Sequence, residues 1–521
     1  MSTVTDVLKA VLPADIVHSD PNVLELYSQD VFGDGLTVAA VVRPATEQDL
    51  ITLVRLSRDK GIPLITRGGG MSYTSGYLAT KTDSILIDTV DLNQILEINE
   101  QDAYVRVQVG VTWQKLHETL APFGLTTPFW GTLSGRYATV GGGLSQNGIF
   151  WGSGYHGAAG DNVLSLRVVT GTGDVIETGA ASQKVSSPFC SYFGPNLTST
   201  FVGDCGAFGI KLTATLPLIP AAKHKGFTSF AFENSTDMTL AMAEISRNRL
   251  ASECFGFDPY LQRQRMKRAS LAADVQQFAG VVKAESGIFN KVVNSAKLAF
   301  SGRRFMDDVA WSFSTLSEGR TQAEADFQVS EIRKICSKHR GQELPDSIPR
   351  LISANPFGPV NNMVGAEGER WLPIHALVPH SRAQDGIACI EGVFAKNRDT
   401  MQQYGVKTGY LIATVSQQVT VLEPVFFWPD ALNALHKHSL EKDHLARLNQ
   451  FDAVPGAWEA VNAIKQELVQ ALSDFGAVHF QLGKAYKYQE GLKSESAAVV
   501  SVLKQTYDPQ GIMNPGVLGF N

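Results

Sequence analysis

The glycine-rich segment between residues 62 and 77 constrains the fold of this chain more than any other. It reads IPLITRGGGMSYTSGY, and its apolar start, Ile62 to Ile65, predicts a short buried strand. Three glycines follow Arg67, and glycine allows positive φ and a close approach of the backbone to a ligand. Consecutive free N–H groups in such a turn bind anions. With the charge of Arg67 and the hydroxyl of Ser72, the segment predicts a pyrophosphate-binding loop.

The residues before this loop predict an α/β unit. Val38 to Val42 reads as a strand, Thr46 as a helix cap, residues 47–60 as a helix, and Gly61 as its end. The loop lacks the Gly-Lys-Ser/Thr of a Walker A sequence and the GxGxxG that opens a long helix. These differences argue against a nucleoside triphosphatase and a nicotinamide-dependent dehydrogenase.

A second glycine triplet, Gly141 to Gly143, is predicted to precede a short helical turn. Residues 163–179, VLSLRVVTGTGDVIETG, predict a hairpin with a tight turn. Two glycine-rich loops so far apart in sequence indicate one elongated ligand with several polar contacts.

Composition limits the class of protein. A chain of 521 residues with 44% hydrophobic and 18% charged residues predicts a globular enzyme of about two domains. A net charge of −6 argues against nucleic acid as a partner. Five isolated cysteines predict neither a disulfide framework nor a metal site, and they fit a reducing compartment. No signal sequence or bilayer-spanning apolar run is evident, so we expect a cytoplasmic protein.

Several motifs in a fixed order give the chain a specific resemblance. They are RPATEQDL, IPLITRGGGMSY, SILIDTVDLN, VQVGVTWQKL, ATVGGGLSQN, GDNVLSLRVVTGTGDVIETG, VGDCGAFGI and the C-terminal DPQGIMNPGVLGF. In this order they resemble the vanillyl-alcohol-oxidase/p-cresol-methylhydroxylase (PCMH) type of flavoprotein, over roughly the first 220 and last 40 residues.

The resemblance implies an α+β protein. A PCMH-type FAD-binding domain of two α/β subdomains would span residues 1–220, and an α+β cap with an antiparallel sheet would span 221–480. Residues 481–521 would return to the FAD domain. In the cap, residues 371–378 and 414–427 read as strands and 457–475 as a long helix.

The same resemblance implies FAD as cofactor and names the residues that would hold it. They are Arg67, Gly68, Gly69, Gly70, Met71, Ser72, Tyr73, Thr139, Gly142, Gly143, Ser145, Asn147, Gly203, Gly206, Gly209, Ile210 and Asn514. Many relatives carry a histidine in the first glycine loop that bonds covalently to the flavin. Met71 stands at the comparable place, so we expect non-covalent FAD, with His375 and His380 of the cap as the remaining histidines that could attach it.

Catalytic candidates are expected where the cap meets the flavin. Hydride transfer to flavin N5 requires a base for the substrate hydroxyl, and histidine suits that role. His479 is the preferred base, Lys484 a cation for the reduced flavin, and Tyr486 a substrate contact. His375 is the second candidate base. Glu423 lies between apolar residues, so it is either a structural ion-pair partner or a functional carboxylate.

The substrate remains open between two classes. A histidine with cations suits a D-2-hydroxy acid, whereas the cap segments resemble the phenol-oxidising branch, with Tyr486-Lys487 where a Tyr-Arg pair would be expected. We expect oxidation of a small hydroxylated molecule, with O2 or a protein or quinone as electron acceptor. A catalytically silent FAD-binding module is the alternative of a different class.

Residues 261–304 are basic and helical in pattern. They predict either a docking face for an anionic membrane or an electron-accepting partner, or a solvated face of the cap helices, which we favour. The sequence is also compatible with a homodimer.

Overall fold

A computed structural model describes residues 3–269 and 311–520 of the chain. Its strands are β1 Val17–His18, β2 Ala40–Val42, β3 Leu64–Arg67, β4 Ile85–Asp88, β5 Ile95–Asn99, β6 Tyr104–Gln108, β7 Leu125–Thr126, β8 Ser165–Val169, β9 Val175–Glu177, β10 Ile210–Pro217, β11 Ile219–Pro220, β12 His224–Phe232, β13 Glu253–Phe257, β14 Trp311–Gly319, β15 Gln342–Leu344, β16 Arg370–Pro373, β17 Ala376–Pro379, β18 Lys407–Val415 and β19 Val419–Trp428. Its α-helices are α1 Val4–Lys9, α2 Pro21–Tyr27, α3 Glu47–Lys60, α4 Trp113–Leu120, α5 Val140–Gln146, α6 Ser153–His156, α7 Ser235–Arg247, α8 Pro259–Ala269, α9 Gln322–Lys338, α10 Ser347–Ala354, α11 Ala383–Lys396, α12 Arg398–Gln403, α13 Ala434–Ser439, α14 Lys442–Leu445, α15 Ala457–Phe475, α16 Tyr488–Gly491 and α17 Ser494–Tyr507.

The N-terminal part contains a mixed four-stranded sheet in the order β1-β2-β4-β3, in which β2 and β3 both run parallel to β4. Helix α3 connects β2 to β3. Thr46 caps its first turn by accepting the Asp49 N–H, and Gly61 ends it at a φ of 67°. Strand β3 ends at Arg67, and the first glycine loop follows it directly, as the sequence predicted.

A second sheet, antiparallel and five-stranded, has the order β5-β6-β10-β8-β9. It includes the predicted hairpin, as β8 and β9. The second glycine triplet differs from expectation, because it lies inside α5 instead of before a helical turn. Thr139 is the cap of that helix and accepts the Gly142 N–H.

The cap is built on an eight-stranded sheet in the order β15-β12-β14-β13-β18-β19-β16, with β17 also paired to β19. All of its pairings are antiparallel, which confirms the predicted cap fold. Two strand predictions were wrong in detail. Residues 371–378 are interrupted between β16 and β17, and residues 414–427 turn between β18 and β19 at Ser416, whose φ is 51°. The second turn carries no glycine or proline, so its sequence gave no breaker signal.

The C-terminal segment lies against the first sheet. The Leu64 N–H donates to the Ile512 carbonyl, and the Asn514 N–H donates back to Leu64. Most of the basic stretch 261–304 lies outside the described residues, so its predicted docking face is left as a prediction. Within the described ranges, none of the helices is both long and apolar enough to cross a membrane.

Candidate functional site

The first glycine loop carries a row of free backbone donors. Within the described residues, the N–H groups of Gly68 to Ser72 donate to no protein acceptor. Gly70 has a φ of 72°, a conformation that non-glycine residues rarely adopt. An exposed run of N–H groups that includes a left-handed residue is an anion-binding nest.

The two glycine-rich loops meet in space. A Cβ on Gly69 would lie 1.9 Å from the carbonyl oxygen of Tyr137, and one on Gly68 would lie 2.4 Å from Oγ1 of Thr139. Only glycine therefore allows this approach. The contact brings the nest beside the start of α5, so the two loops face one space.

Arg67 packs against the first glycine loop on the side away from the cleft. Its guanidinium carbon lies 4.5 Å from the centre of the Tyr27 ring, and Nη1 donates to the Gly68 carbonyl at 3.3 Å. A Cβ on Gly70 would collide with this guanidinium, at 2.1 Å from Nη2. Arg67 therefore does not line the cleft, and its positive charge lies beneath the nest.

A cleft of about 950 Å³, partly open to solvent, runs between these loops and β10. The free donors fit a pyrophosphate, and the lining of the cleft extends from the nest past the start of α5 to Lys211 of β10. The donor set of the cleft thus fits FAD.

A second cavity, of about 1,130 Å³, lies between the cleft and the cap sheet. Both cavities are lined by Met71, Thr132, Ser134 and Gln481, so they adjoin at these residues. The walls of the second cavity are mostly apolar. None of the described residues that line it is a lysine or an arginine.

Three polar side chains meet at one end of the second cavity. The Tyr73 hydroxyl lies 2.9 Å from Nε2 of His375, and Oε2 of Glu423 lies 3.5 Å from the same nitrogen. His375 is 1% exposed, and its Nδ1 is buried without a hydrogen-bond partner among the described residues. Burial and the nearby Glu423 carboxylate raise the pKa of Tyr73 well above its ordinary value. This hydrogen-bonded group can accept and hold a proton.

At His375 the structure differs from the continuous strand predicted over residues 371–378. This residue lies in the gap between β16 and β17, where its N–H donates to the Tyr486 hydroxyl at 2.8 Å instead of to a neighbouring strand. Trp371 and His375 both line the second cavity.

His479 and Tyr486 lie behind His375. Nδ1 of His479 donates to the His375 carbonyl, and the two rings of His479 and Tyr486 stack at 4.2 Å. Burial lowers the pKa of His479 to about 4, so the ring is neutral at physiological pH. Neither residue lines either cavity. The structure therefore places the preferred base of the sequence prediction behind the site.

Comparison with known proteins identifies the cleft. Residues 38–179, which contain both glycine loops, match the family model described as FAD binding domain. These residues form an FAD binding domain. FAD as cofactor and the predicted fold are thereby confirmed.

Individual relatives agree with this assignment. The chain is 29% identical over 206 residues to the glycolate oxidase subunit GlcD of Bacillus subtilis, covering 40% of this chain and 42% of that protein. It spans about half the length of the curated relatives that it matches first. In fold it is similar to p-cresol methylhydroxylase with substrate bound, with a TM-score of 0.75, 16% identity and coverage of 99% and 96%. The 4-ethylphenol oxidase from Gulosibacter chungangensis gives 0.73, 18% identity and the same coverage.

Most of the residues predicted to bind the cofactor line the cleft of this flavoprotein. These are Gly68, Gly69, Gly70, Met71, Ser72, Thr139, Gly142, Gly143, Ser145, Gly206, Gly209 and Ile210. Tyr73 lines the second cavity instead. Asn147 ends α5 in the left-handed region, and its Oδ1 accepts the Gly160 N–H. The Gly203 N–H donates to the Leu144 carbonyl. Neither Asn147 nor Gly203 lines the cleft.

Asn514 and Lys484 connect segments of the flavoprotein instead of facing a ligand. The Asn514 amide donates to the carbonyls of Gly76 and Cys205, and its oxygen accepts from Nζ of Lys484 at 2.9 Å. Burial lowers the pKa of Lys484 to about 8. Both side chains are thus committed to protein partners, and the prediction that Asn514 reaches the cofactor finds no support in these contacts.

Sequence reasoning missed Lys211 of β10. Its Nζ lies 2.6 Å from Oδ1 of Asp204 and 2.8 Å from Oγ of Ser145, and the residue lines the cleft. It directly follows the motif GDCGAFGI. The buried Asp204 carboxylate neutralises Lys211 and holds its Nζ at the wall of the cofactor cleft. Across the described residues, no cluster of three or more histidines, cysteines or acids could hold a metal ion.

Proposed function

We propose that this flavoprotein is an FAD-dependent oxidoreductase that oxidises an uncharged hydroxylated substrate, an aromatic alcohol or alkylphenol in preference to a D-2-hydroxy acid. The second cavity carries this proposal. It adjoins the cofactor cleft, contains the Tyr73–His375–Glu423 group and presents no lysine or arginine among its described lining residues. When bound, FAD supplies the acceptor for the hydride that leaves the substrate carbon.

His375 is the proposed base. Its Nε2 takes the substrate hydroxyl proton, directly or through the Tyr73 hydroxyl that lies beside it. Glu423 stabilises the imidazolium that forms, because its carboxylate lies 3.5 Å from the same nitrogen. His479 positions His375 by donating to its carbonyl, and Tyr486 does so by accepting its N–H.

The charges of the cavity decide between the two substrate classes. A 2-hydroxy acid would bring a carboxylate into an apolar space that already contains the Glu423 carboxylate. Burial of an unpaired carboxylate is costly, and like charges add repulsion. The name of the Bacillus relative points to a hydroxy acid and the names of the structural neighbours point to phenols. The cavity supports the second class.

Anaerobic mixing with a substrate panel tests the proposal. We expect benzyl alcohols or alkylphenols to bleach the flavin absorbance faster than D-lactate or glycolate. His375→Gln should slow bleaching by about 100-fold or more while FAD stays bound. The control, His438→Gln, changes an exposed histidine and should keep the wild-type rate.

Three outcomes contradict parts of this proposal. Faster bleaching by a hydroxy acid would overturn the substrate class, and an unchanged rate in His375→Gln would overturn the base. If no substrate bleaches the flavin, the chain is a silent FAD-binding module. Peroxide release in air then distinguishes an oxidase from a dehydrogenase.

FAD is proposed to bind without a covalent bond. No histidine is among the described residues that line the cleft, and Met71 stands in the loop. Cys205 does line it, but burial raises the pKa of its thiol to about 12, which leaves it a poor nucleophile. Acid precipitation should release all the flavin into the supernatant. Flavin that stays with a tryptic peptide would contradict the proposal.

A cytoplasmic location stays part of the proposal and is supported by the five unpaired cysteines. The electron acceptor and a homodimer are left to peroxide assays and to measurement of mass in solution.

A further inference from the structure

The second cavity is elongated along one face of the cap sheet. Phe255 pairs with Ala413, and Leu411 pairs with Glu423, so Glu253 lies opposite Val415, four residues along β18 from Leu411. With ~3.3 Å per residue and ~4.8 Å between strands, the Cα atoms of Glu253 and Glu423 are about 16 Å apart. Both residues line the cavity.

The far end of the cavity is polar. Glu253 is 4% exposed, and its two oxygens accept hydrogen bonds from the Gly152 N–H and the Ser252 hydroxyl. Among the described residues no lysine, arginine or histidine lies within ion-pair distance of it. Burial and the neighbouring Glu318 raise its pKa to about 8. A carboxyl in this state is mostly protonated near neutral pH, so it can donate as well as accept a hydrogen bond.

The wall between the two ends is apolar. Phe150, Phe255, Leu411, Ala413 and Val415 line this part of the cavity. A ligand that fills the space would therefore have an apolar body with a polar group at each end.

We propose that Glu253 forms a distal subsite that binds a hydroxyl group at the far end of an elongated, uncharged and otherwise apolar substrate. The inference rests on the proposed function, because it assumes that the Tyr73–His375–Glu423 end receives the group that is oxidised. A hydroxyl fits the subsite because it can accept from the carboxylic acid and donate to its second oxygen. A carboxylate at that position would find no cation.

Paired substrates test the subsite. Para-octylbenzyl alcohol and the same molecule with a hydroxyl at the chain end differ only in the group that would reach Glu253. We expect the terminal hydroxyl to lower the dissociation constant about tenfold in the wild type, the value of one well-made hydrogen bond. Glu253→Gln, which can still donate and accept, should keep most of that ratio, and Glu253→Leu should abolish it.

The matched control is Glu244→Gln, which changes a half-buried carboxyl that pairs with Lys338 and His339 and does not line the cavity, and it should keep the tenfold ratio. A ratio retained in Glu253→Leu, or lost equally in Glu244→Gln, overturns the subsite. Retention of FAD absorbance and of the melting temperature establishes that the variants are folded.

A second measurement separates the two proposals. In a second pair of ligands, the benzylic hydroxyl of each alcohol is converted to its methyl ether and the chain-end hydroxyl stays free. These ethers have no benzylic hydroxyl to oxidise, and their binding is measured by titration calorimetry on the FAD-loaded protein. If the terminal hydroxyl strengthens binding of the ether but no alcohol bleaches the flavin, the subsite stands and the enzymatic proposal fails. If alcohols bleach the flavin and the terminal hydroxyl has no effect on binding, only the subsite fails.

Discussion

Two histidines that the sequence offered as candidate bases have different environments in this flavoprotein. His375 presents Nε2 to Tyr73 and Glu423 in the cavity, whereas His479 uses Nδ1 to hold the His375 carbonyl. Nε2 of His479 is buried without a partner among the described residues. The difference lies in which neighbours each ring meets, and a one-dimensional pattern does not contain that information.

The buried state of His479 predicts an acid-dependent loss of stability. Its pKa is about 4 in the folded chain and 6.5 when exposed, so only the unfolded chain gains a proton as the pH falls between these values. The free energy of unfolding should therefore fall faster in the wild type than in His479→Gln over that range. Above pH 6.5 the group contributes no pH dependence.

Chemical denaturation at several pH values measures this difference. His438→Gln removes an exposed histidine and should follow the wild type throughout. A constant gap between wild type and His479→Gln from pH 6.5 to 4 would show that His479 does not titrate as proposed.

At the scale of elements, the cofactor cleft depends on the contact between two glycine-rich segments. The first follows β3 and the second begins α5, and their backbones meet at Gly69 and Tyr137. Each segment predicted a ligand loop by itself. The contact between them forms only when the strands and helices that hold the two segments pack together.

Gly69→Ala should separate these segments. Its Cβ would lie 1.9 Å from the Tyr137 carbonyl oxygen, so one backbone must move. We expect FAD affinity to fall at least tenfold, as measured by fluorescence of released flavin. Gly392→Ala is the control, because no heavy atom lies within 4 Å of its new Cβ in α11. That change should raise the free energy of unfolding by about 0.5–1 kcal/mol. Equal FAD affinity in both variants would argue against a tight contact between the loops.

At the scale of the whole molecule, residues 29–33 connect the cap to the cofactor loop. Phe32 stacks on Trp458 at 5.3 Å and belongs to the cap core. The Val31 N–H donates to the Ser72 carbonyl, and Asp30 accepts the Ser75 N–H. The same short segment therefore contacts both the cap and the nest, and these contacts cross the boundary predicted at residue 220.

Arg370 holds this segment in place, because its Nη2 donates to the carbonyls of Phe32 and Val31. Arg370→Leu leaves both oxygens buried without that donor, so we expect a loss of about 2–4 kcal/mol in the free energy of unfolding. FAD retention should fall as well, since the segment supports the loop. Urea denaturation and gel filtration with flavin absorbance measure both effects.

The exposed Arg398→Leu is the control and should change neither quantity. Loss of stability without loss of FAD would mean that the segment supports the cap alone.

The sequence by itself determined the features that depend on local chemistry. Helix α3 with its Thr46 cap and Gly61 end, and helix α15 over residues 457–475, follow from residues close in the chain. The glycine loop also predicted an anion site, because the conformational freedom of glycine and the presence of free N–H groups are local properties.

Only the tertiary structure decided the chemistry around that loop. The cavity joins Tyr73, Glu253, His375 and Glu423, which are far apart in sequence, on one surface. Arg67 lies beneath the nest and Lys211 beside the cleft, because each side chain is directed by packing partners that its own segment does not encode. Burial and long-range neighbours set charge, orientation and pKa, and these come into being only when the sheets pack.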